Sequence, residues 1–449
     1  MASRAVSVTE VIDSVPFTSY QIWVGILCFC CTLLDGFDLT VIGVAVPKMA
    51  EYLHLKPQAF GLAISAGQFG PLFGAAVLGM LADRLGRKRV LIFCALVFGV
   101  FTVAQAFITS VGQLALLRFI GGFGMGGAVP TAISFGAEYS PSRSRATLST
   151  ALYAGVPAGA TLSGLSAIWL LPHVGWQSLF FLGGGIPIAI AIMMIFFLPE
   201  SINFLVKREK GQAKVRSVIG HIAPIYANNK DIEFCSTEVK RTGVPVKHLF
   251  REGRSVTTIL LWLCFFLGYY LIYLMQAWAP TLLKKSGATV QQYSLAFALI
   301  NLGSAVATVS IGWLMDKAKK PARILQGSFI LGFFSLVAFG YFATSPFFII
   351  AAICVINGIF INGTVSGLVA LVTLSYPSGV TGTAVGWAYA IGRLGSTVSP
   401  LAGAVFLGFN WTVFQICGTN AILALVIVVI IALRPRKAAE MRKAASNAC

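Results

Sequence analysis

Charged residues are scarce in this sequence of 449 residues. They make up 11% of the chain, whereas hydrophobic residues make up 57%, and a soluble domain carries roughly twice that share of charge. Apolar runs of about 20 residues, the length that a helix needs to cross a bilayer, recur along nearly the whole chain. The composition therefore excludes an ordinary water-soluble protein and predicts an all-α polytopic membrane protein.

The sequence also lacks the arrangements that a metal, a cofactor or an enzyme reaction would need. Its nine cysteines are scattered, mostly in apolar runs, and its four histidines are far apart, so we expect neither a disulfide framework nor a metal site. There is no GxxxxGK[ST] loop for ATP and no constellation of a nucleophile and a base. We predict no cofactor, no metal and no enzyme activity.

Twelve apolar segments are predicted to form transmembrane helices. The first apolar run, Ile22 to Pro47, has no short h-region followed by a small-residue cleavage site, so we interpret it as the first helix and not as a signal peptide. The predicted helices cover residues 20–47, 58–81, 90–109, 112–138, 146–171, 178–198, 256–282, 291–315, 323–343, 346–374, 381–407 and 411–433.

The basic residues follow a pattern of membrane topology. The net charge of +18 would suit a nucleic-acid partner, but the lysines and arginines cluster in alternate loops. With both termini in the cytoplasm, only Lys48, Lys56, Lys284 and Lys285 of the 33 basic residues fall on the other side. This asymmetry is the positive-inside rule. It predicts cytoplasmic termini, and we expect the lipid bilayer, and no nucleic acid, as a partner.

A long polar segment divides the predicted helices into six and six. Residues 199–254 are rich in Lys, Arg and Glu, and we interpret them as a cytoplasmic linker between a first half, 1–198, and a second half, 255–449, with a basic C-terminal tail. GMLADRLGRKRVLI (79–92) realigns with GWLMDKAKKPARIL (312–325). Parallel repeats with a site at their interface are a known plan of transporters.

These motifs resemble those of known transporters. GMLADRLGRKRVL and the run FIGGFGMGG after Arg118 resemble the loop and fourth-helix motifs of the major facilitator superfamily. Four further segments resemble the aromatic acid/proton symporter family, and its paired-aspartate DGFD signature is the most specific of them. The segments are LLDGFDLTVIGVAVP (33–47), EYSPSRSRAT (138–147), GVPAGA (155–160) and GWAYAIGRLGS (386–396).

The resemblance implies a major facilitator fold and symport of a small aromatic carboxylate, such as benzoate or a hydroxybenzoate, with protons. It also implies a bacterial inner-membrane location and a functional monomer. Two alternatives stay open at this point. The substrate could be another organic anion, such as a dicarboxylate or a sugar acid, or the chain could be a membrane sensor that binds the anion without transporting it.

Four charged residues are predicted to lie within the apolar spans: Asp35, Asp38, Arg118 and Arg393. A charge at the centre of a membrane helix costs about 2.5–3.5 kcal/mol on insertion scales, so such residues usually face a partner or a transport path. Asp35 and Asp38 share one helix face, and two close carboxylates raise each other's proton affinity. We predict that this pair carries the coupled proton. The alternative is that Asp35 makes a static salt bridge or a cap.

The two arginines have different predicted roles. Arg393 lies among small residues on the eleventh helix, and a guanidinium matches a carboxylate bidentately, so we predict that Arg393 anchors the substrate carboxylate, with Asp38 nearby. A structural partnership with Asp35 or Asp38 is the alternative. Arg118 is predicted to open the fourth helix, and the resemblance implies that it tunes proton transfer near the first helix. The alternative for Arg118 is a structural role near the outer end of the helix, where it would snorkel to the surface or belong to a polar network.

Two further groups of residues are candidates for gating and for the cavity wall. In the superfamily, contacts of the loop after the second helix latch the outward-facing state, and Glu138 is the predicted partner of Arg87. Buried amides need partners and aromatic faces stack on rings, although packing or interface anchoring is the alternative for each. The gating candidates are Asp83, Arg84, Arg87, Glu138 and Asp316. The cavity candidates are Phe37, Gln68, Tyr269, Tyr273, Gln276, Trp278, Asn301, Asn357, Asn362, Trp387 and Tyr389.

Overall fold

The computed structural model describes residues 4–206, 212–227, 232–235, 246–251, 253–318, 320–376 and 378–435, apart from the side chains of a few residues within these ranges. Twelve helices in this part of the chain are long and apolar enough to cross a membrane. The predicted fold class, an all-α polytopic membrane protein with twelve spanning helices, is therefore confirmed.

The spanning helices follow one another with short connections, except after the sixth. The first six are α1 (Ser19–Tyr52), α2 (Gly61–Leu85), α3 (Arg87–Ala104), α4 (Val111–Glu138), α5 (Arg145–Tyr153 continued by Gly155–His173) and α6 (Gln177–Phe197). The last six are α7 (Ser255–Lys285), α8 (Val290–Lys317), α9 (Pro321–Tyr341), α10 (Phe347–Asn357, π-helical Gly358–Asn362 and Gly363–Ser375), α11 (Ser378–Gly408) and α12 (Val413–Leu433).

The helix boundaries differ from the predicted ones by a few residues at most positions. The largest differences are at the ends of α1 and α3: α1 continues through Pro47 to Tyr52, and α3 ends at Ala104. A proline inside a membrane helix is tolerated because neighbouring groups satisfy the backbone that it frees. Helix α4 begins at Val111, so Arg118 lies about two turns inside the helix and does not open it.

Glycines set the distance between α1 and α5. A Cβ atom at Gly36 of α1 would overlap the carbonyl of Val156, and one at Gly159 of α5 would overlap the carbonyl of Leu33. Lipid supplies little hydrophobic force between helices, so close backbone approach through small residues is a main source of helix association in a membrane. The two glycines therefore fix α1 directly against α5.

Helices of the first six also contact helices of the last six. Helix α5 meets α8 where Gly164 packs on Ala298, and α2 meets α11 where Gly61 packs on Ala404. Helix α1 meets α7 at Gly43, which packs on the backbone of α7. Three helices of the first six and three of the last six thus meet at the boundary between the two sets.

A small assembly outside the membrane helices covers one end of the bundle. Strand β1 (Arg4–Ser7) pairs in parallel with β2 (Ile232–Cys235), and the helix Gln212–Ile222 brings His221 into a stack on Tyr20, with ring centroids 5.0 Å apart. We call this end, where α6 and α12 also finish, the linker end. The linker is therefore packed against the start of α1.

We expect Gly159→Ala to lower the melting temperature of the purified protein in detergent. The added methyl group must displace the Leu33 carbonyl, and overpacking of this kind typically costs about 1–3 kcal/mol. Gly418→Ala is the matched control, since that helical glycine of α12 has open space at its Cβ position. Equal melting temperatures for the two variants would contradict the close packing of α1 on α5.

Candidate functional site

Two aspartates one helical turn apart are buried in the middle of α1. Asp35 and Asp38 are 6% and 4% exposed, and they interact electrostatically with each other. Although they share one broad face of the helix, each lies beside a different arginine. Asp38 faces Arg118 of α4, whereas Asp35 faces Arg393 of α11.

Asp38 is held in a network within the first six helices. Its carboxylate lies 3.9 Å from the Arg118 guanidinium and accepts a hydrogen bond of 3.1 Å from the Thr102 hydroxyl. Arg118 also donates to the Asp38 carbonyl and to the Gln105 side chain, each at 3.4 Å. Arg118 is 2% exposed, so it is a buried member of a network and does not snorkel to the surface.

A glycine makes room for this network. A Cβ atom at Gly67 of α2 would lie 2.6 Å from Nε of Arg118. Any larger residue there would push the guanidinium away from Asp38. The lack of a side chain at Gly67 therefore gives the Arg118 guanidinium the room that it needs beside Asp38.

Asp35 is less constrained than Asp38. In the part of the chain that the structure describes, Asp35 makes no ion pair within 4 Å, although Arg393 lies within electrostatic range. Arg393 is half-buried, and its buried Nη1 atom has no hydrogen-bond partner among the described residues. The Asp35 carboxyl and one guanidinium nitrogen are thus both available to another group.

Tyrosines surround Arg393. Tyr269 and Tyr273 of α7 are within electrostatic range of its guanidinium, as is Tyr153 of α5. Tyr389, one turn before Arg393 on α11, packs edge-on against Tyr269 with ring centroids 6.1 Å apart. The arginine is therefore set in an aromatic surround to which both sets of six helices contribute.

A cavity of about 130 Å³ opens beside this cluster. Its wall combines tyrosine rings with amide and hydroxyl groups, and comes from α1, α5, α7, α8, α10 and α11. Of the predicted cavity residues, Tyr269, Tyr273, Gln276, Asn301, Asn362 and Tyr389 line it. The others are Gly36, Leu39, Thr40, Tyr153, Val156, Pro157, Ala160, Ile272, Ser304, Thr308 and Val365.

The remaining predicted cavity residues lie elsewhere. Phe37 packs against Gly183 of α6, and Gln68 is buried in α2 outside the cavity wall. Asn357 and Trp278 are fully buried and donate hydrogen bonds to Ser335 (3.4 Å) and to the Pro400 carbonyl (3.1 Å). Trp387 is 41% exposed and stacks on Trp262, with centroids 5.9 Å apart.

Two of the gating candidates, Arg87 and Glu138, meet at the linker end. Arg87, the first residue of α3, makes an ion pair with Glu138 at the end of α4. Glu138 also accepts a hydrogen bond of 2.6 Å from the hydroxyl of Ser201. Arg84 is exposed. The side chains of Asp83 and Asp316 lie outside the described part of the structure.

Contacts between the two sets of helices gather at the end opposite the linker. Lys284 of α7 pairs with Glu51 of α1 and donates a hydrogen bond of 2.7 Å to the Pro47 carbonyl. Gly61 and Ala404 are in contact at the same end. Tyr153, which lines the cavity from the other side, is 38% exposed. The contacts of Lys284 and Gly61 thus close the boundary between the two sets at the end away from the linker.

Sequence reasoning missed several members of these clusters. Thr102 and Gln105 support the Asp38 network, Tyr153 lines the cavity, and Ser201 joins the Arg87 cluster. Gln105 and Tyr153 carried usable signals, because an amide inside an apolar segment needs a partner and an aromatic ring can stack on a ring-bearing ligand. A hydroxyl bonds readily to its own helix, so threonine and serine give no such signal.

Among the described residues, no group of three or more His, Cys, Asp or Glu side chains could hold a metal ion. The cavity instead lies between two sets of membrane helices. Asp35 and Arg393 are next to its wall without being part of it, since Asp35 precedes Gly36 of the wall and Arg393 lies among its tyrosines. A site at the interface of two helix sets is typical of polytopic membrane transporters.

The chain belongs to the Major Facilitator Superfamily. The family model matches residues 28–400, and a second match covers residues 261–447. The predicted resemblance to this family is confirmed, and the chain is a transporter and not an enzyme.

Relatives match the chain over most of its length. It is 36% identical to the 4-hydroxybenzoate transporter PcaK of Acinetobacter baylyi, covering 89% of this chain and 88% of that protein. It is 32% identical to a gallate transporter of Pseudomonas putida, covering 90% of each. The inward-open structure of the xylose transporter XylE from E. coli matches with a TM-score of 0.72 at 18% identity, covering 92% of this chain and 96% of that one, which shows the shared fold.

We expect Glu138→Gln to destabilise the purified protein. Glu138 is buried, and removing its charge leaves the Arg87 guanidinium without its ionic partner, a change that costs about 3–5 kcal/mol for a buried pair. The melting temperature in detergent measures the loss. Arg89→Gln, which removes an exposed charge from the same helix start, is the control and should leave the melting temperature unchanged. A Glu138→Gln protein as stable as the control would mean that the pair is not a structural contact.

Proposed function

We propose that the protein imports a small aromatic carboxylate together with protons by alternating access. The single observation that carries this proposal is a cavity whose tyrosine rings surround an arginine with a free donor. A guanidinium binds a carboxylate through parallel hydrogen bonds, and aromatic rings pack well on the face or edge of another ring. The names of the relatives, which are transporters of 4-hydroxybenzoate and gallate, support the same class of substrate.

Arg393 anchors the carboxylate in this proposal. Its Nη1 atom lacks a partner among the described residues, and a buried donor without a partner is costly. Tyr269, Tyr273 and Tyr389 line the cavity and flank the guanidinium. A benzoate-type anion would therefore place its charged end at Arg393 and its ring among the tyrosines.

The coupled proton binds at Asp35 and Asp38, and Asp35 is the more exchangeable of the two. Asp38 is tied to Arg118 and Thr102, whereas Asp35 has no ion-pair partner among the described residues and interacts with Arg393 at longer range. When the substrate carboxylate occupies Arg393, Asp35 loses part of that electrostatic support and takes up a proton. Substrate and proton are thus coupled through one shared arginine.

Alternating access rests on two halves, residues 1–198 and 255–449, joined by the linker 199–254. The second match of the family model, to residues 261–447, supports an internal repeat. The closed end opposite the linker, held by Lys284 and Glu51, must open for substrate to enter from outside. Gating by the cluster of Arg87 and Glu138 at the linker end belongs to the same proposal.

We place the protein in the bacterial inner membrane as a monomer surrounded by lipid, with both termini in the cytoplasm. The positive-inside pattern supports this orientation. Lys284, one of the few basic residues on the predicted outer side, has a specific partner in Glu51. Its position is explained by that contact.

We expect Asp35→Asn to abolish proton-driven accumulation. Symport of one proton with one carboxylate is electroneutral, so an inward gradient of one pH unit supports about tenfold accumulation. Asparagine resembles the protonated carboxyl but cannot release a proton, so the variant should bring the ratio to about one while still exchanging labelled for unlabelled acid. The measurement is uptake of labelled benzoate and 4-hydroxybenzoate into proteoliposomes, with and without the gradient.

Two controls belong to this experiment. Protein-free liposomes measure the acid that crosses unaided in its neutral form. Glu10→Gln neutralises an exposed carboxyl outside the membrane helices and should accumulate substrate normally. Undiminished gradient-driven accumulation by Asp35→Asn would rule out Asp35 as the coupling residue.

We expect Arg393→Ala to weaken substrate binding by about tenfold to a hundredfold, because one or two charge-assisted hydrogen bonds are lost. Arg393→Lys keeps the charge but loses the bidentate geometry, so its affinity should lie between the two. Binding of 4-hydroxybenzoate to purified protein is measured by calorimetry, with the exposed Arg323→Ala as control. Full affinity in Arg393→Lys would indicate a simple role for charge, and full affinity in Arg393→Ala would remove Arg393 from the site.

A further inference from the structure

We propose that Asn362 recognises a hydroxyl group on the ring of the substrate, so that hydroxylated aromatic acids are selected over benzoate itself. This inference rests on the proposed function of the cavity. It adds a second polar contact to the one that Arg393 makes with the carboxylate. The cluster around Arg393 is assigned to the carboxylate end of the acid. A group that reads the rest of the ring should therefore lie in another part of the wall.

Asn362 is the amide that lacks a partner. It is 7% exposed and lines the cavity, and neither its side-chain oxygen nor its side-chain nitrogen has a hydrogen-bond partner among the described residues. Burying an amide without partners costs several kcal/mol on alkane transfer scales. An amide with both atoms free in a cavity wall is therefore expected to be paired when the cavity is filled.

The other amides of the wall are already occupied. Gln276 and Asn301 bond to each other, with the Gln276 nitrogen 2.7 Å from the Asn301 oxygen, and the Asn301 nitrogen also donates to the Phe297 carbonyl at 2.9 Å. The Thr40 hydroxyl donates to the Gly36 carbonyl at 2.8 Å. These groups shape the wall, whereas Asn362 keeps its full capacity to bind a ligand.

The backbone around Asn362 holds the amide in place. Asn362 ends the π-helical segment of α10, Gly358–Asn362, and such segments occur frequently at functional sites. Glycines bound the segment on both sides, and a Cβ atom at Gly358 or Gly363 would overlap Ile300 or Ala307 of α8. The segment is thus pressed against α8, next to the paired amides.

The chemistry of an amide suits a hydroxyl group. An asparagine side chain offers two donors and an acceptor, and a phenolic hydroxyl can accept from the nitrogen while donating to the oxygen. A carboxylate only accepts, so it would leave the Asn362 oxygen unpaired. With the carboxylate at Arg393, the ring hydroxyl is the group that satisfies both atoms of Asn362.

A comparison of three acids tests this assignment. Wild-type protein, Asn362→Ala and Asn362→Ser are assayed for uptake and for calorimetric binding of benzoate, 3-hydroxybenzoate and 4-hydroxybenzoate. Asn420→Ala is the matched control, since Asn420 is also a buried asparagine but lies on α12 and bonds to its own helix. Binding is measured even where transport fails, and melting temperatures identify any variant that does not fold.

We expect wild-type protein to bind its preferred hydroxybenzoate at least about tenfold more tightly than benzoate, as sites built around a substrate hydroxyl do. Asn362→Ala should erase this preference while leaving benzoate binding unchanged, Asn362→Ser should keep part of it, and Asn420→Ala all of it. Equal binding of the three acids by wild-type protein, or an equal loss for all three in Asn362→Ala, would overturn the role of Asn362 and leave aromatic acid transport standing. Failure of wild-type protein to bind or move any of the acids would overturn the proposed function itself, and this inference with it.

Discussion

The pairing of two buried aspartates with two different arginines is the constraint on which the rest of the site depends. Charges in a membrane interior usually face opposite charges or a water-filled cavity. Here the two aspartates of one turn of α1 face arginines on two different helices. Asp38 turns to Arg118 within the first six helices, and Asp35 turns to Arg393 across the boundary. One pair is bonded within one set of helices, while the other acts between sets and leaves a donor free. The pair of Asp38 and Arg118 is thus fixed within the first six helices, whereas Arg393 keeps a donor available at the boundary between the two sets.

Close packing of α1 makes this double pairing possible. The backbone of α5 lies directly on Gly36, the residue that follows Asp35, and Gly67 leaves the space that the Arg118 guanidinium fills. Helix α1 is therefore held tightly on the side of the first six helices, and its cavity face, with Gly36 and Thr40, is left open. Glycine serves packing and chemistry at once here, because the same missing side chains bring helices together and give charged groups their room.

Much of the fold could be predicted from the sequence, but only part of the site. Hydropathy and charge placement predicted the spanning helices, because the bilayer imposes length and composition on each one separately. The four intramembrane charges were found for the same reason. Which arginine meets which aspartate depends on how the helices are rotated against one another, and spacing along one helix does not contain that information. For this reason only some of the candidate aromatic residues line the cavity. Tyr273 is in its wall, whereas Trp387 lies outside it. The π-helical segment that presents Asn362 had no signal, since it arises from packing against α8.

The ion pair of Arg87 and Glu138 bears on how the two sets of helices are held together. Both residues belong to the first six helices, and the pair is intact in a structure whose two sets of helices are joined at the opposite end by Lys284 and Glu51. The pair therefore cannot by itself bridge the two sets. It braces the start of α3 against the end of α4, with Ser201 tying in the beginning of the linker. A contact between the two sets at this end would need another residue, one that faces the last six helices. By contrast, the contact of Lys284 with Glu51 does cross the boundary, because it joins α7 to α1. The two ends of the bundle thus differ, since an ionic contact joins the two sets at the end opposite the linker, whereas the ion pair at the linker end lies within one set.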